Sequence, residues 1–293
     1  MAEGERRAMP VHVLPDGATM AYADAGAGSP LLLVHGWAAN GGFFQDLSAR
    51  LAAHHRVLTV TLRGHPGASR GAAPLTIETL ADDIVHFAAA LDLDGVIGLG
   101  WSMGAMALWA AAPKLGPRLA GLVVEDMAPR LVNDDIWRDG LAGGYARADV
   151  AATLAEIEAD WPAYVARFAP RMFAPSLRER RPDLVEWAQA EMSNADPEAM
   201  VALWASMAAQ DFRGALTRID APMLVISGAD SQVYPDGATA FVAHTAPRGE
   251  RAVIAGAGHV PHLEAPDAFF KEIEAFVRNT ERRPDLRSGG AVS

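Results

Sequence analysis

The stretch GVIGLGWSMGAMALWAA, Gly95 to Ala111, sets one serine, Ser102, between Gly100 and Gly104. It does so where an apolar strand-like run gives way to an apolar helix-like run. A run apolar on both faces is what a strand inside a parallel sheet needs. In open α/β sheets, ligands bind beyond the carboxyl ends of such strands, which is where Ser102 falls. A sharp strand-to-helix turn lifts a serine hydroxyl clear of the backbone and aims the next amide and the helix N-terminus at an incoming oxygen. So tight a turn excludes side chains beside it, which accounts for the two glycines. Taken alone, Gly-x-Ser-x-Gly is a weak signal in a chain with 27 glycines, and a packing turn is the plain alternative. Its position between strand and helix is what gives it weight.

Other near-continuous apolar runs flank this one: PLLLVHGW, RVLTVTLRG, AGLVVEDMAP, APMLVISGAD and RAVIAGAGH. Near the start, VHVLPDGATMAYAD reads as two strands joined by a Pro-Asp-Gly turn. Helical patterns fill the gaps at Phe43–Ala53, Ile77–Leu91 and Met103–Ala112, and a last one covers Ala265–Asn279. The alternation predicts an α/β sheet with helices on both faces. From Arg130 to Phe212 it stops. That stretch carries helical patterning broken by prolines, and it holds Trp137, Trp161, Trp187 and Trp204, four of the seven tryptophans. It reads as a helical cap (130–212) inserted in a core of 10–129 and 213–280, with flexible tails at 1–9 and 281–293.

Composition narrows the chemistry. Of 293 residues, 25 are Lys or Arg and 36 are Asp or Glu, for a formal net charge of −11. An acidic surface repels phosphate backbones and anionic lipid, so neither nucleic acid nor a membrane is expected as a partner. With no cysteine, disulfides, thiolate metal sites and a cysteine nucleophile are excluded. No signal-like or bilayer-spanning run is evident, so a cytoplasmic monomer or homodimer is expected. GAGSP at Gly26–Pro30 precedes a strand and fails the dinucleotide context, and no histidine group has zinc-site spacing. No cofactor or metal is expected.

A serine hydroxyl needs a base to remove its proton and donors for the oxyanion it creates. VHGW ends an earlier strand, so the amide of Trp37 can pair with that of Met103 as an oxyanion hole. His35 in that motif reads as an ordinary structural histidine. Asp230 follows a late strand in SGADSQVYP, and His259 follows the last strand in AGAGHVPHLEAP. The chain order is then Ser, Asp, His.

Together DGATMAYADAG, LLLVHGW, LRGHPGAS, GWSMG, SGADSQVYP and GHVPHLEAP resemble the α/β-hydrolase superfamily over about Pro10–Asn279. The resemblance implies an eight-stranded, mostly parallel sheet with a helical cap. It implies Ser102 as nucleophile, His259 as general base and acid, Asp230 as the acid that orients it, and the Trp37 and Met103 amides as oxyanion donors. Within the superfamily the chain looks most like small carboxylesterases related to pimeloyl-carrier-protein methyl ester esterase. It is also similar to acyl-homoserine lactone hydrolases and cofactor-free haloperoxidases or perhydrolases.

Two departures stand out. Thr61 occupies a position where the family often has Asp, and His65-Pro66 sits inside the following turn. Asp126 is a rival to Asp230, since some members draw the acid from that strand end, and His262 lies three residues beyond His259. Gly36, Trp101 and Met127, at strand ends near Ser102, are expected to touch substrate. The expected activity is hydrolysis of small to medium uncharged carboxylic esters or lactones through an acyl-enzyme. The alternatives are a ligand sensor that keeps the three residues and a cofactor-free perhydrolase.

Overall fold

The computed structural model describes residues 10–282. Eight strands form one sheet: β1 (Val11–Val13), β2 (Thr19–Ala25), β3 (Pro30–Val34), β4 (Arg56–Thr61), β5 (Val96–Trp101), β6 (Leu119–Glu125), β7 (Met223–Gly228) and β8 (Gly249–Ile254). Their spatial order is β1-β2-β4-β3-β5-β6-β7-β8. β1 pairs antiparallel with β2, and β2 antiparallel with β4. From β4 onward every pairing is parallel. The sheet class follows from the residues: all six positions of β5 and of β7 are buried, which only a sheet covered on both faces provides.

The helices are α1 (Gln45–Leu51), α2 (Ile77–Ala90), α3 (Met103–Leu115), α4 (Arg147–Ala159), α5 (Trp161–Phe168), α6 (Pro175–Arg180), α7 (Pro182–Ser193), α8 (Pro197–Ala209), α9 (Arg213–Leu216), α10 (Asp236–Thr245), α11 (Pro261–Glu264) and α12 (Pro266–Glu281). α2 packs on α3, and α1 on α12. The expected terminal helix is thus present and ends two residues beyond Asn279. The other residues of the two expected tails lie outside the described residues.

Between β6 and β7 the described chain forms α4–α9 and no strand. Prolines open four of the helices α4–α8, at Pro162, Pro175, Pro182 and Pro197, where a missing amide proton costs nothing. The aromatic residues of this segment mostly pack on one another and on the sheet's loops. Trp37 is ringed by Trp161, Phe168 and Trp204 at centroid distances of 5.3, 5.7 and 4.9 Å. Trp187 lies 4.7 Å from Phe43, and Trp137 5.0 Å from Phe241. The segment between β6 and β7 is tied to the loop after β8 and to α11: the amide of His259 donates to the Met172 carbonyl at 2.7 Å, and the Ala174 amide to Glu264 at 2.8 Å.

Candidate active site

β5 delivers Ser102 into a left-handed backbone conformation, φ 53° and ψ −121°. Non-glycine residues avoid this region at a cost of roughly 1–3 kcal/mol. The surroundings hold it there. The Ser102 amide donates to the Glu125 carbonyl at 2.9 Å, and the Ser102 carbonyl accepts the Ala105 amide at 2.8 Å. Both flanking glycines are dictated by contact. A Cβ on Gly104 would sit 2.1 Å from the Val34 carbonyl oxygen, and one on Gly100 2.5 Å from the Ala105 nitrogen. The elbow therefore presses β5, the start of α3 and the end of β3 together.

That pressing brings two amides to the rim. Met103 is the first residue of α3, where no intrahelical acceptor exists for its N–H. The Trp37 amide follows β3 outside any strand. Among the described residues neither amide donates to a protein acceptor.

The imidazole of His259 is 2 % exposed and its Nδ1 lies 2.7 Å from Asp126 Oδ2. A carboxylate oxygen can only accept, so Nδ1 carries a proton, and in the neutral ring the free lone pair then lies on Nε2. The same Oδ2 accepts the Ser231 hydroxyl at 2.7 Å. Asp126 is itself in a left-handed conformation, φ 43°, which aspartate tolerates better than most residues.

The expectation that Asp230 orients His259 is thereby corrected. Asp230 follows β7 as expected and its amide is bonded to the Ala257 carbonyl, but it is an exposed residue and makes no side-chain bond to the imidazole. The strand end of β6 supplies the carboxylate instead. The β7 loop supplies Ser231, and also Tyr234, which sequence reasoning passed over. The Tyr234 ring lies 5.6 Å from that of His259. Burial, with the Asp126 charge adding to it, pushes the phenol pKa far up, and hydrogen bonding with Ser102 partly offsets the shift. Tyr234 therefore stays protonated. Its only sequence signal is its place three residues after Ser231 in SQVYP.

A second buried couple lies alongside. Glu125 accepts from His262 Nδ1 at 2.7 and 2.9 Å and from the His262 amide at 3.0 Å. The Trp101 ring separates the two imidazoles, at 5.7 Å from His259 and 5.5 Å from His262. The adjacent acids Glu125 and Asp126 thus each take one of the two histidines, and His262 is buried.

His35 is structural, as expected. Its Nε2 accepts the Leu62 amide at 3.0 Å and its Nδ1 meets the Gly36 carbonyl at 2.8 Å. Burial holds its pKa well below the usual histidine value. His65 packs edge-on against it at 4.7 Å, and burial lowers its pKa to about 4. Thr61, in place of the acid common in the resembled family, uses its hydroxyl to accept the Gly41 amide at 3.1 Å.

Ser102 and His259 open into one small cavity with Trp37, Trp101, Met172, Trp204 and Tyr234 among its walls. Its volume, about 10 Å³, is space for roughly one water. Trp37 and Trp101 thus line the same cavity as Ser102 and His259. Met127 is fully buried and absent from the lining, and Gly36 lies under Trp101 and the Ser102 Cβ without lining it.

Residues 31–272 match the family model described as the alpha/beta hydrolase family. The chain is 30 % identical over 254 residues to a pimeloyl-[acyl-carrier protein] methyl ester esterase of Xanthomonas oryzae pv. oryzae, covering 86 % of this chain and 96 % of that one. Among solved structures, an esterase from Exiguobacterium antarcticum superposes with a TM-score of 0.83 at 23 % identity, covering 92 % of this chain and 98 % of the other. A thermophilic esterase from Thermogutta terrifontis does so at 0.81 and 25 % identity, covering 94 % and 99 %.

Proposed function

The chain belongs to the alpha/beta hydrolase family, and from that premise we propose that it is a serine carboxylesterase acting on small to medium carboxylic esters or lactones. The observation that carries this reading is one shared cavity: a Ser102 held at positive φ lines the same small space as a His259 whose Nδ1 is committed to Asp126.

Nε2 of His259 takes the Ser102 proton as Oγ attacks the carbonyl carbon. The oxyanion that forms is met by the amides of Trp37 and Met103, the latter aided by the positive end of α3. Asp126 stabilises the imidazolium, and Ser231 keeps the carboxylate in register. The imidazolium then gives its proton to the alcohol oxygen as the ester C–O bond breaks, leaving an acyl-serine. A water deprotonated by His259 attacks that acyl carbon, and the acid leaves as Ser102 recovers its proton. The walls of Trp, Met and Tyr side chains exclude bulk water, which strengthens each of these charge interactions.

Esters named for the Xanthomonas relative suggest a methyl ester as one substrate form. The test is turnover of p-nitrophenyl acetate or butyrate by the wild type and by Ser102→Ala. The variant should retain less than about one part in a thousand of kcat. Substantial remaining turnover would overturn the reading.

A further inference from the structure

The backbone that carries His259 is held from several sides at once. Its own amide donates to the Met172 carbonyl at 2.7 Å, and its carbonyl accepts Trp101 Nε1 at 2.9 Å. The amides on either side of it, those of Gly258 and Val260, both donate to Oε1 of Glu264, at 2.7 and 3.2 Å. The other oxygen of that carboxylate, Oε2, accepts the Ala174 amide at 2.8 Å. Glu264 is the last residue of α11, so this short helix turns its final side chain back over the loop that leads into it.

Gly258, Val260 and Ala174 are all buried, and among the described residues their amides donate to no other acceptor. Buried amides are expected to be paired, and a carboxylate makes the stronger kind of bond to them. One side chain therefore satisfies three donors from two distant segments. Those segments are in direct contact: a Cβ on Gly258 would sit 2.6 Å from the Ala174 nitrogen and 2.8 Å from the Met172 carbonyl oxygen. Glu264 does not line the cavity that Ser102 and His259 share. Any influence it has on the reaction must pass through the placement of the imidazole.

Resting on the serine-esterase reading above, we propose that Glu264 is a positioning residue. It holds the amides of Gly258 and Val260 against that of Ala174, and so fixes the backbone beneath the His259 imidazole relative to Ser102. The alignment of the base then depends on the segment between β6 and β7 being seated on the loop after β8. Trp101 Nε1 alone, with the Met172 carbonyl, leaves the two flanking peptides free to tilt. Such a tilt moves Nε2 while leaving the pocket walls in place.

The test measures kcat and KM for p-nitrophenyl acetate in Glu264→Ala, Glu264→Gln and Ala174→Pro, with thermal melting to verify that each variant folds. Glu264→Ala should lower kcat by about ten- to a hundredfold, the range expected for a displacement near 1 Å, with KM within about twofold of wild type. Glutamine keeps one acceptor oxygen and places an NH2 donor where the other stood, so Glu264→Gln should restore part of the loss. Ala174→Pro deletes the third donor at a backbone proline adopts, φ −55° and ψ 141°, after an extended Phe173 at φ −101° and ψ 145°. It should lower kcat by about two- to fivefold, again without raising KM. The far-downfield proton resonance of His259 Nδ1–H, identified by its loss in His259→Ala, should broaden in Glu264→Gln and more so in Glu264→Ala. Folded Glu264→Gln and Ala174→Pro proteins with wild-type kcat overturn the proposal, whether or not Glu264→Ala folds. A loss confined to KM, or an Nδ1 resonance of unchanged position and width, overturns it as well. Turnover remaining in Ser102→Ala would instead strike the esterase reading, so the two failures are told apart on the same substrate.

Discussion

Asp126→Asn and Asp230→Asn separate two carboxylates, of which the sequence favours Asp230 and the structure sets Asp126 against His259. Asp126 and His259 are 1 % and 2 % exposed and their partner atoms lie 2.7 Å apart. When His259 becomes imidazolium in the transition state, a unit negative charge at that distance is worth on the order of 6 kcal/mol with an effective dielectric of about 20. Asparagine can still accept the Nδ1 proton through its carbonyl, so geometry survives while the charge is lost. About 6 kcal/mol corresponds to roughly four decades in rate, and the equivalent change in a protease triad costs about 10⁴ in kcat. Asp230 is exposed and makes no bond to the imidazole, so its amide should change kcat less than about twofold. The assay is kcat and KM for p-nitrophenyl butyrate near pH 8, with thermal melting to verify that each variant folds. A thousandfold or larger loss in Asp126→Asn beside a near-wild-type Asp230→Asn is the expected pattern. The reasoning is refuted if Asp126→Asn keeps more than a tenth of the activity, or if Asp230→Asn suffers the large loss.

Two further expectations concern stability. Gly104→Ala drives a carbon to 2.1 Å from the Val34 carbonyl and should destabilise by at least about 3 kcal/mol, lowering Tm by roughly 6–12 °C; Gly214→Ala, whose added carbon meets nothing within 4 Å, is the control and should melt within a degree or two of wild type. His65 titrates near 4 in the folded chain against 6.5 for an unburied histidine. Its neutral form is thus favoured by folding, and the stability this confers is present above pH 6.5 and is lost as the pH falls toward 4. The full effect is about 3 kcal/mol, so His65→Asn should flatten the decline of urea-unfolding free energy between pH 7.5 and 4.5. An unchanged pH slope in that variant would show that the charge is relieved elsewhere.

Much of this protein is written locally. Strand β5, the glycines around Ser102 and the first turn of α3 occupy one continuous stretch, so periodicity and sterics suffice to place Ser102 at the turn. The same holds for the Trp37 amide after β3 and for His259 after β8, each announced by a buried run and a glycine-rich loop. The absence of alternation between Arg130 and Phe212 likewise marks a helical segment, because a strand's period of two is a short-range property.

The acid was not legible, and the reason is geometric. β6 and β7 are neighbours in the sheet, so Asp126 and Asp230, distant along the chain, end at adjacent points of one rim. Which one faces His259 depends on the left-handed turn at Asp126 and on Ser231 occupying the inward position of the β7 loop. No local pattern encodes that choice. The pairing of Glu125 with His262 and the phenol of Tyr234 at Ser102 are of the same kind. Each joins segments far apart in sequence. The order of apolar and polar residues determined which elements form and where Ser102 sits; only the packing of the sheet, its loops and the helices between β6 and β7 decided which side chains meet it, because side-chain direction at a strand end is set by contacts the neighbouring residues do not contain.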